Sequence, residues 1–272
     1  NQLNLFMTSL LVAQVFISFF VGGSLITLLS VIAEKTNQHI SGIIMMFPTT
    51  LVLGFFFLGL TTSAENVSIV IPATLIPLGI VIFSSVIYIY CSIFYVSKFN
   101  SKLIQIVFSL LTSTVIWFIL ASPFAIYKFS NKFIGITGFI SIVTITHLIL
   151  RSKQYALNLT RPTYTKRQLL IRALFTGSVI ATVVVLGKTL NPFWGGIFTM
   201  YPAATFATLL ILHYYYEPRQ LFYFMKSAPL GSVSLFIYAI SVMLLFPKSG
   251  IWTGTIISYV ISLTFGLLLI KY

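Results

Sequence analysis

A succession of apolar stretches of about 20 residues, each followed by only a short polar break, limits what this chain can become. A hydrocarbon core about 30 Å thick is crossed by a helix of that length. Inside it, every backbone N–H and C=O must find its partner within the protein. With 58% of its 272 residues hydrophobic and 7% charged, the chain reads as an integral membrane protein with little left for a soluble domain. Alternating segments of about 10 residues, the mark of a membrane barrel, are absent, so an all-α fold is expected.

Nine transmembrane helices are predicted, at about 5–33, 41–60, 67–95, 103–126, 133–150, 168–187, 195–214, 220–246 and 251–270. The first has no basic residues ahead of it and no cleavage signature, so it reads as a helix rather than a signal peptide. The third contains Pro72 and Pro77, which leaves open one kinked helix or a re-entrant turn. "RSKQYALNLTRPTYTKR", at 151–167, is the longest polar stretch and reads as the linker.

The net charge is +13, from 16 Lys and Arg against Glu34, Glu65 and Glu217, with no Asp. In a soluble protein that excess would indicate nucleic acid. Here the basic residues fall between spans, where they face cytoplasm and anionic headgroups, so membrane lipids are the expected partners and nucleic acid is not. Loops on one face hold 12 of the 16 basic residues and the other face holds four, which puts the amino terminus outside and the carboxyl terminus in the cytoplasm of a bacterial inner membrane. One cysteine, Cys91, permits no disulfide framework, and His39, His147 and His213 lack metal-ligand spacing. No cofactor or metal is expected. No span has paired carboxylates or a His and Cys cluster, and no phosphate-binding GxxxxGK motif exists, so neither catalysis nor nucleotide-driven pumping is expected.

The chain also repeats itself. A shift of 154 residues superposes Gly23 on Gly177, Ser24 on Ser178, Ile26 on Ile180, Asn37 on Asn191, Gly42 on Gly196, Ile43 on Ile197, Met46 on Met200 and Pro48 on Pro202, eight identities in 26 ungapped positions. A shift of 152 then pairs Glu65 with Glu217, Pro77 with Pro229 and Gly79 with Gly231. The pattern divides the chain into a first four-helix unit at 1–130, a linking helix and basic loop at 131–166, and a second unit at 167–272. An odd number of helices separates equivalent points, so the second unit is expected to be inverted, as in many secondary transporters.

Within the repeat, "SGIIMMFPTTLV" and "GGIFTMYPAATF" each place a proline inside a span. Proline lacks an N–H and clashes with the carbonyl four residues earlier, so Pro48 is expected to free the Ile44 carbonyl and Pro202 that of Phe198. Such carbonyls persist at depth only against protein or in a wet cavity, which makes the two prolines candidates for flanking one central site. Gly42 and Gly196 permit close helix approach, while Thr49, Thr50, Thr199 and Thr205 are placed to line a polar path or to bond back to their own helices. Aromatics such as Tyr201 are expected in an interfacial belt. Glu65 and Glu217 are read as mirrored gates or coupling groups at span ends. Arg172 and Lys226 are candidates for contacting an anionic substrate, with snorkelling to the headgroups the alternative.

The unit "GGSLITLLSVIAEKTNQHISGIIMMFPTT", with Gly23, Gly42 and Phe47-Pro48-Thr49 followed by the loop acid Glu65, resembles the GlpM-type four-span bacterial inner-membrane proteins. The resemblance implies two such units fused through an extra helix, and a membrane location, without implying a substrate. The second unit departs from it with Tyr201-Pro202-Ala203, where the Thr is lost. The expected function is a secondary carrier of a small, amphiphilic substrate such as a lipid-related metabolite, working by alternating access and able to pair as a homodimer. The alternative is a non-transporting scaffold or accessory subunit of envelope or lipid-linked polymer metabolism.

The charge count sets a test of topology. Green fluorescent protein fused after Tyr272 is expected to fluoresce in intact cells, and the same domain inserted after Glu65 to remain dark, as read by whole-cell fluorescence.

Overall fold

Helix starts follow the polar residues that interrupt the apolar runs. In the computed structural model, residues 2–34, 48–152 and 165–271 are described. They form α1 (Gln2–Glu34), α2 (Thr49–Thr61), α3 (Ala64–Val96), α4 (Lys102–Ile126), α5 (Lys132–Arg151), α6 (Lys166–Thr189), α7 (Pro192–Thr199), α8 (Ala203–Tyr215), a 3₁₀ turn (Pro218–Gln220), α9 (Leu221–Met225) and α10 (Ala228–Lys271), with no strand among the described residues. Ser63 caps α3 by accepting from the Asn66 N–H at 3.1 Å, and Asn131 caps α5 through Ile134. Thr165 and Gln168 form a reciprocal capping box on α6. Asn191 caps α7, whose first residue is Pro192, where a missing N–H costs nothing.

α3 settles the question of the third span: it is one continuous 33-residue helix with Pro72 and Pro77 inside it. It is apolar on nearly every side, and a helix of that kind is driven to the middle of a bundle. Val67, Ile71, Leu75, Leu78, Ile82 and Ile89 are all fully buried, with α4, α5 and α10 packed around them. Phe139 of α5 stacks on Phe236 of α10 at 4.7 Å. The outer faces of α4 and α5 show Leu103, Leu111, Ile119, Phe133 and Leu148 exposed, a continuous apolar surface that only lipid covers at this extent.

Six helices are long and apolar enough to cross a membrane, and α1 and α2 contain shorter apolar stretches at Leu11–Leu25 and Thr49–Thr61. Among the described residues the helices follow the predicted spans in outline, with different boundaries toward the carboxyl terminus. The two last predicted spans run as one element, α10, which reverses at Gly250 with φ 71° and ψ 178°, a backbone region open in practice only to glycine. Ser262 on the returning leg donates to the Ser234 carbonyl on the outgoing leg at 2.6 Å, which makes the pair an antiparallel hairpin. The eighth span begins later than predicted because the 3₁₀ turn and α9 precede it. The first half of the second span and most of the basic linker lie outside the described residues.

α1 and α6 cross at the positions the repeat pairs. A methyl group on Gly23 would collide with the Ala173 carbonyl oxygen, and one on Gly177 would collide with the Phe19 carbonyl oxygen. Phe19 and Ala173 are themselves 154 residues apart, so the contact is reciprocal: each helix offers the same two positions to the other. Without Cβ atoms at the crossing, backbones approach closely and gain dispersion contact in an environment where the hydrophobic effect gives no preference for protein over lipid.

Gly23→Leu and Gly177→Leu are each expected to destabilise the folded protein by about 1–3 kcal/mol through overpacking. The neighbouring Ser178→Leu, at an exposed position, is expected to change little. Thermal unfolding in detergent checks all three.

Candidate functional site

The two repeated prolines both begin a helix. Pro48 precedes α2 with φ −73° and ψ 30°, and Pro202 precedes α8 with φ −74° and ψ 48°. Each helix is 13 residues long, and each first helical bond runs to a proline carbonyl at 2.7 Å, from Val52 to Pro48 and from Phe206 to Pro202. The seventh span is thus a broken helix, with α7 ending at Thr199 and α8 restarting at Ala203.

Backbone bonding at the break corrects one expectation. The Phe198 carbonyl is not freed by Pro202, because the end of α7 tightens and the Tyr201 N–H donates to it at 2.9 Å, as the Met200 N–H does to Ile197. The Ala203 N–H turns to the Tyr201 carbonyl at 2.7 Å. What the break leaves over are donors: the N–H groups of Ala204 and Thr205 have no backbone acceptor among the described residues.

The first turns of α2 and α8 meet at a buried cavity of ≈ 30 Å³. Its wall includes Thr50 and Leu51 from α2, Met200 to Thr205 from the break, Val81 of α3 and Leu235 of α10. By the 154-residue spacing, Thr50 and Leu51 match Ala204 and Thr205, so equivalent turns of the two repeats face one space. Thr50 and Thr205 are 7% and 4% exposed. Neither hydroxyl has a hydrogen-bond partner among the described residues.

The remaining predicted residues fall around or away from this cavity. Pro48, Pro202, Thr50 and Thr199 are buried and Thr49 is half-buried. Thr199 bonds back to the Gly195 carbonyl at 3.0 Å and packs on Gly54 of α2, so it joins the two helices without lining the cavity. Phe198 turns outward to Trp117 and Phe118 of α4, and Gly196 lies against Val70 of α3 too closely for any side chain. Gly42 and Ile44 lie outside the described residues. Tyr201 is not an interfacial aromatic: it is buried in the cavity wall and exchanges a 2.8 Å hydrogen bond with Thr114 of α4.

Arg172 is 1% exposed, which overturns snorkelling to the headgroups: its Nη2 donates to Thr208 of α8 at 3.3 Å, and Thr208 donates to the Ala204 carbonyl at 3.0 Å. Lys226 is exposed at the end of α9, away from the cavity. Glu65 and Glu217 are exposed at helix starts, where a carboxylate complements the helix dipole. Ser63 and Glu217 are both N-caps, 154 residues apart, the first of α3 and the second of the 3₁₀ turn. A second buried polar pair, Tyr88 with His213 at 3.0 Å, was not visible in the sequence because its partners are 125 residues apart.

No family model, curated protein or solved structure matches the chain.

The bond between Tyr201 and Thr114 fixes one wall of the cavity. Tyr201→Phe and Thr114→Val are each expected to cost about 1 kcal/mol of stability. The double variant is expected to cost little more than either alone, because the two substitutions remove one shared interaction. Unfolding measurements on the four proteins of the cycle check this.

Proposed function

We propose that this membrane protein is a secondary transporter working by alternating access, with its substrate site where α2 and α8 begin. The observation that carries the proposal is the meeting of two helix starts, each led by a proline of the 154-residue pattern, at one cavity. Broken helices whose starts face a midplane site are a recurring device of carriers built from inverted repeats. In this reading 1–130 and 167–272 are four-helix units of opposite orientation with α5 between them, nine spans in all, in a bacterial inner membrane with the carboxyl terminus cytoplasmic. The reciprocal crossing of α1 and α6 supports that arrangement, since a two-fold relation makes like positions meet. Two similar halves can exchange conformations, which gives outward-open and inward-open states of comparable energy. Kinship of each unit with the GlpM-type proteins belongs to the same proposal and rests on the short motif around Pro48. The substrate is a small amphiphilic metabolite or lipid-related molecule, with membrane lipids as neighbours and a homodimer as the assembled form. Neither catalysis nor a cofactor has a part in it.

The small cavity volume favours a second reading, a non-transporting scaffold of envelope metabolism, because a scaffold is packed dry at its centre. Under the carrier reading the same volume belongs to an occluded state closed to both sides.

The two readings separate without knowledge of the substrate. In a Cys91→Ser background, Ala204→Cys is expected to react with a membrane-impermeant thiol reagent in right-side-out vesicles and also in inverted ones. Labelling from neither side, or from one side only, removes the carrier reading.

A further inference from the structure

Among the described residues the wall of the cavity at the two helix starts has no basic side chain, yet the helix starts make it electropositive. A helix start carries about half an elementary positive charge, so the pair supplies about one. Behind α8, Arg172 reaches Thr208 and through it the Ala204 carbonyl, which sets a full positive charge one helical turn deeper. No carboxylate lines the space among the described residues.

The threonines add an independent observation. Several buried threonines bond back to their own helices, as Thr61 does to Phe57 at 2.7 Å, Thr176 to Arg172 at 2.9 Å and Thr199 to Gly195 at 3.0 Å. Thr205 makes no such bond among the described residues, and the Tyr201 carbonyl one turn earlier accepts from Ala203. Thr50 and Thr205, both buried, face the same cavity with no hydrogen-bond partner among the described residues. An acceptor-only ligand would satisfy both hydroxyls and the N–H groups of the adjoining turns.

We infer that this cavity seats a carboxylate, the anionic head of a small monocarboxylate with an apolar chain. The inference rests on the carrier reading for its purpose, though not for its geometry. Size selects the anion. A water-sized group needs about 10–15 Å³ of such space, so ≈ 30 Å³ suits a head of two oxygens better than the four of phosphate or sulfate. Charge agrees, since the helix ends together balance one negative charge. Leu51, Val81 and Leu235 complete the wall and match an apolar carbon chain beside the head.

Isothermal titration of the purified full chain in detergent tests this. Acetate and propionate are expected to bind saturably and to raise the unfolding temperature, while phosphate, sulfate and tetramethylammonium do neither. Thr50→Val and Thr205→Val are each expected to weaken propionate binding about tenfold, the loss of one hydrogen bond to a charged group. Thr50→Ser and Thr205→Ser keep the hydroxyl and are expected to retain binding. No saturable binding of carboxylates to the unmodified chain, equal binding of phosphate, or unchanged affinity in a folded double valine variant would each overturn the inference. Two-sided labelling at position 204 together with any of those results leaves a carrier without a carboxylate seat. One-sided labelling with carboxylate binding intact leaves the seat and removes the carrier.

Discussion

Hydrocarbon offers no hydrogen bonds, and that single constraint orders the whole structure. Each peptide group at depth must be satisfied by its own helix or by protein beside it, so any break in a helix has to be enclosed. The chain breaks α7 from α8 at Met200 to Pro202 and begins α2 at Pro48, and both places are buried between α3, α4, α6 and α10. The tight bonds at the end of α7 and the turn from Ala203 to Tyr201 satisfy most of the carbonyls. Donors remain, and a space lined by unsatisfied donors is an electropositive space without any charged residue in its wall.

Packing around the break explains why it holds its shape. Gly54 admits Thr199, Gly196 admits Val70, and Tyr201 is tied to Thr114, so α2, α3 and α4 each grip the broken segment from a different side. α3 is suited to the centre because apolar residues surround it and its two prolines leave the helix continuous. The reciprocal contact of Gly23 and Gly177 adds a crossing at which the same sequence positions of both repeats touch. Such reciprocity is what a two-fold relation between two like segments produces.

Much of this was legible in the residues. Apolar length predicted helices, capping residues marked their starts, and the proline at 202 predicted a break that occurs. The consequence of a break was harder to read. Loss of the N–H at Pro202 predicts a free carbonyl at Phe198, yet a local tightening of the helix end pairs it with Tyr201. Arg172 misled for a related reason: a long basic side chain near a span end usually reaches water, and only the position of Thr208 across the α6–α8 contact shows that it turns inward.

Sequence alone determined that the chain is helical and apolar enough to cross a membrane, and where proline interrupts its helices, because hydropathy and proline geometry act over a few residues and need no partner. The tertiary structure decided which turns share a space. Thr50 and Thr205 are 155 positions apart, and no local rule brings them to one wall. It also decided that Gly250 reverses the last helix and that Tyr88 meets His213. These contacts depend on how helices cross, and crossing is set by the fit of surfaces contributed by distant segments.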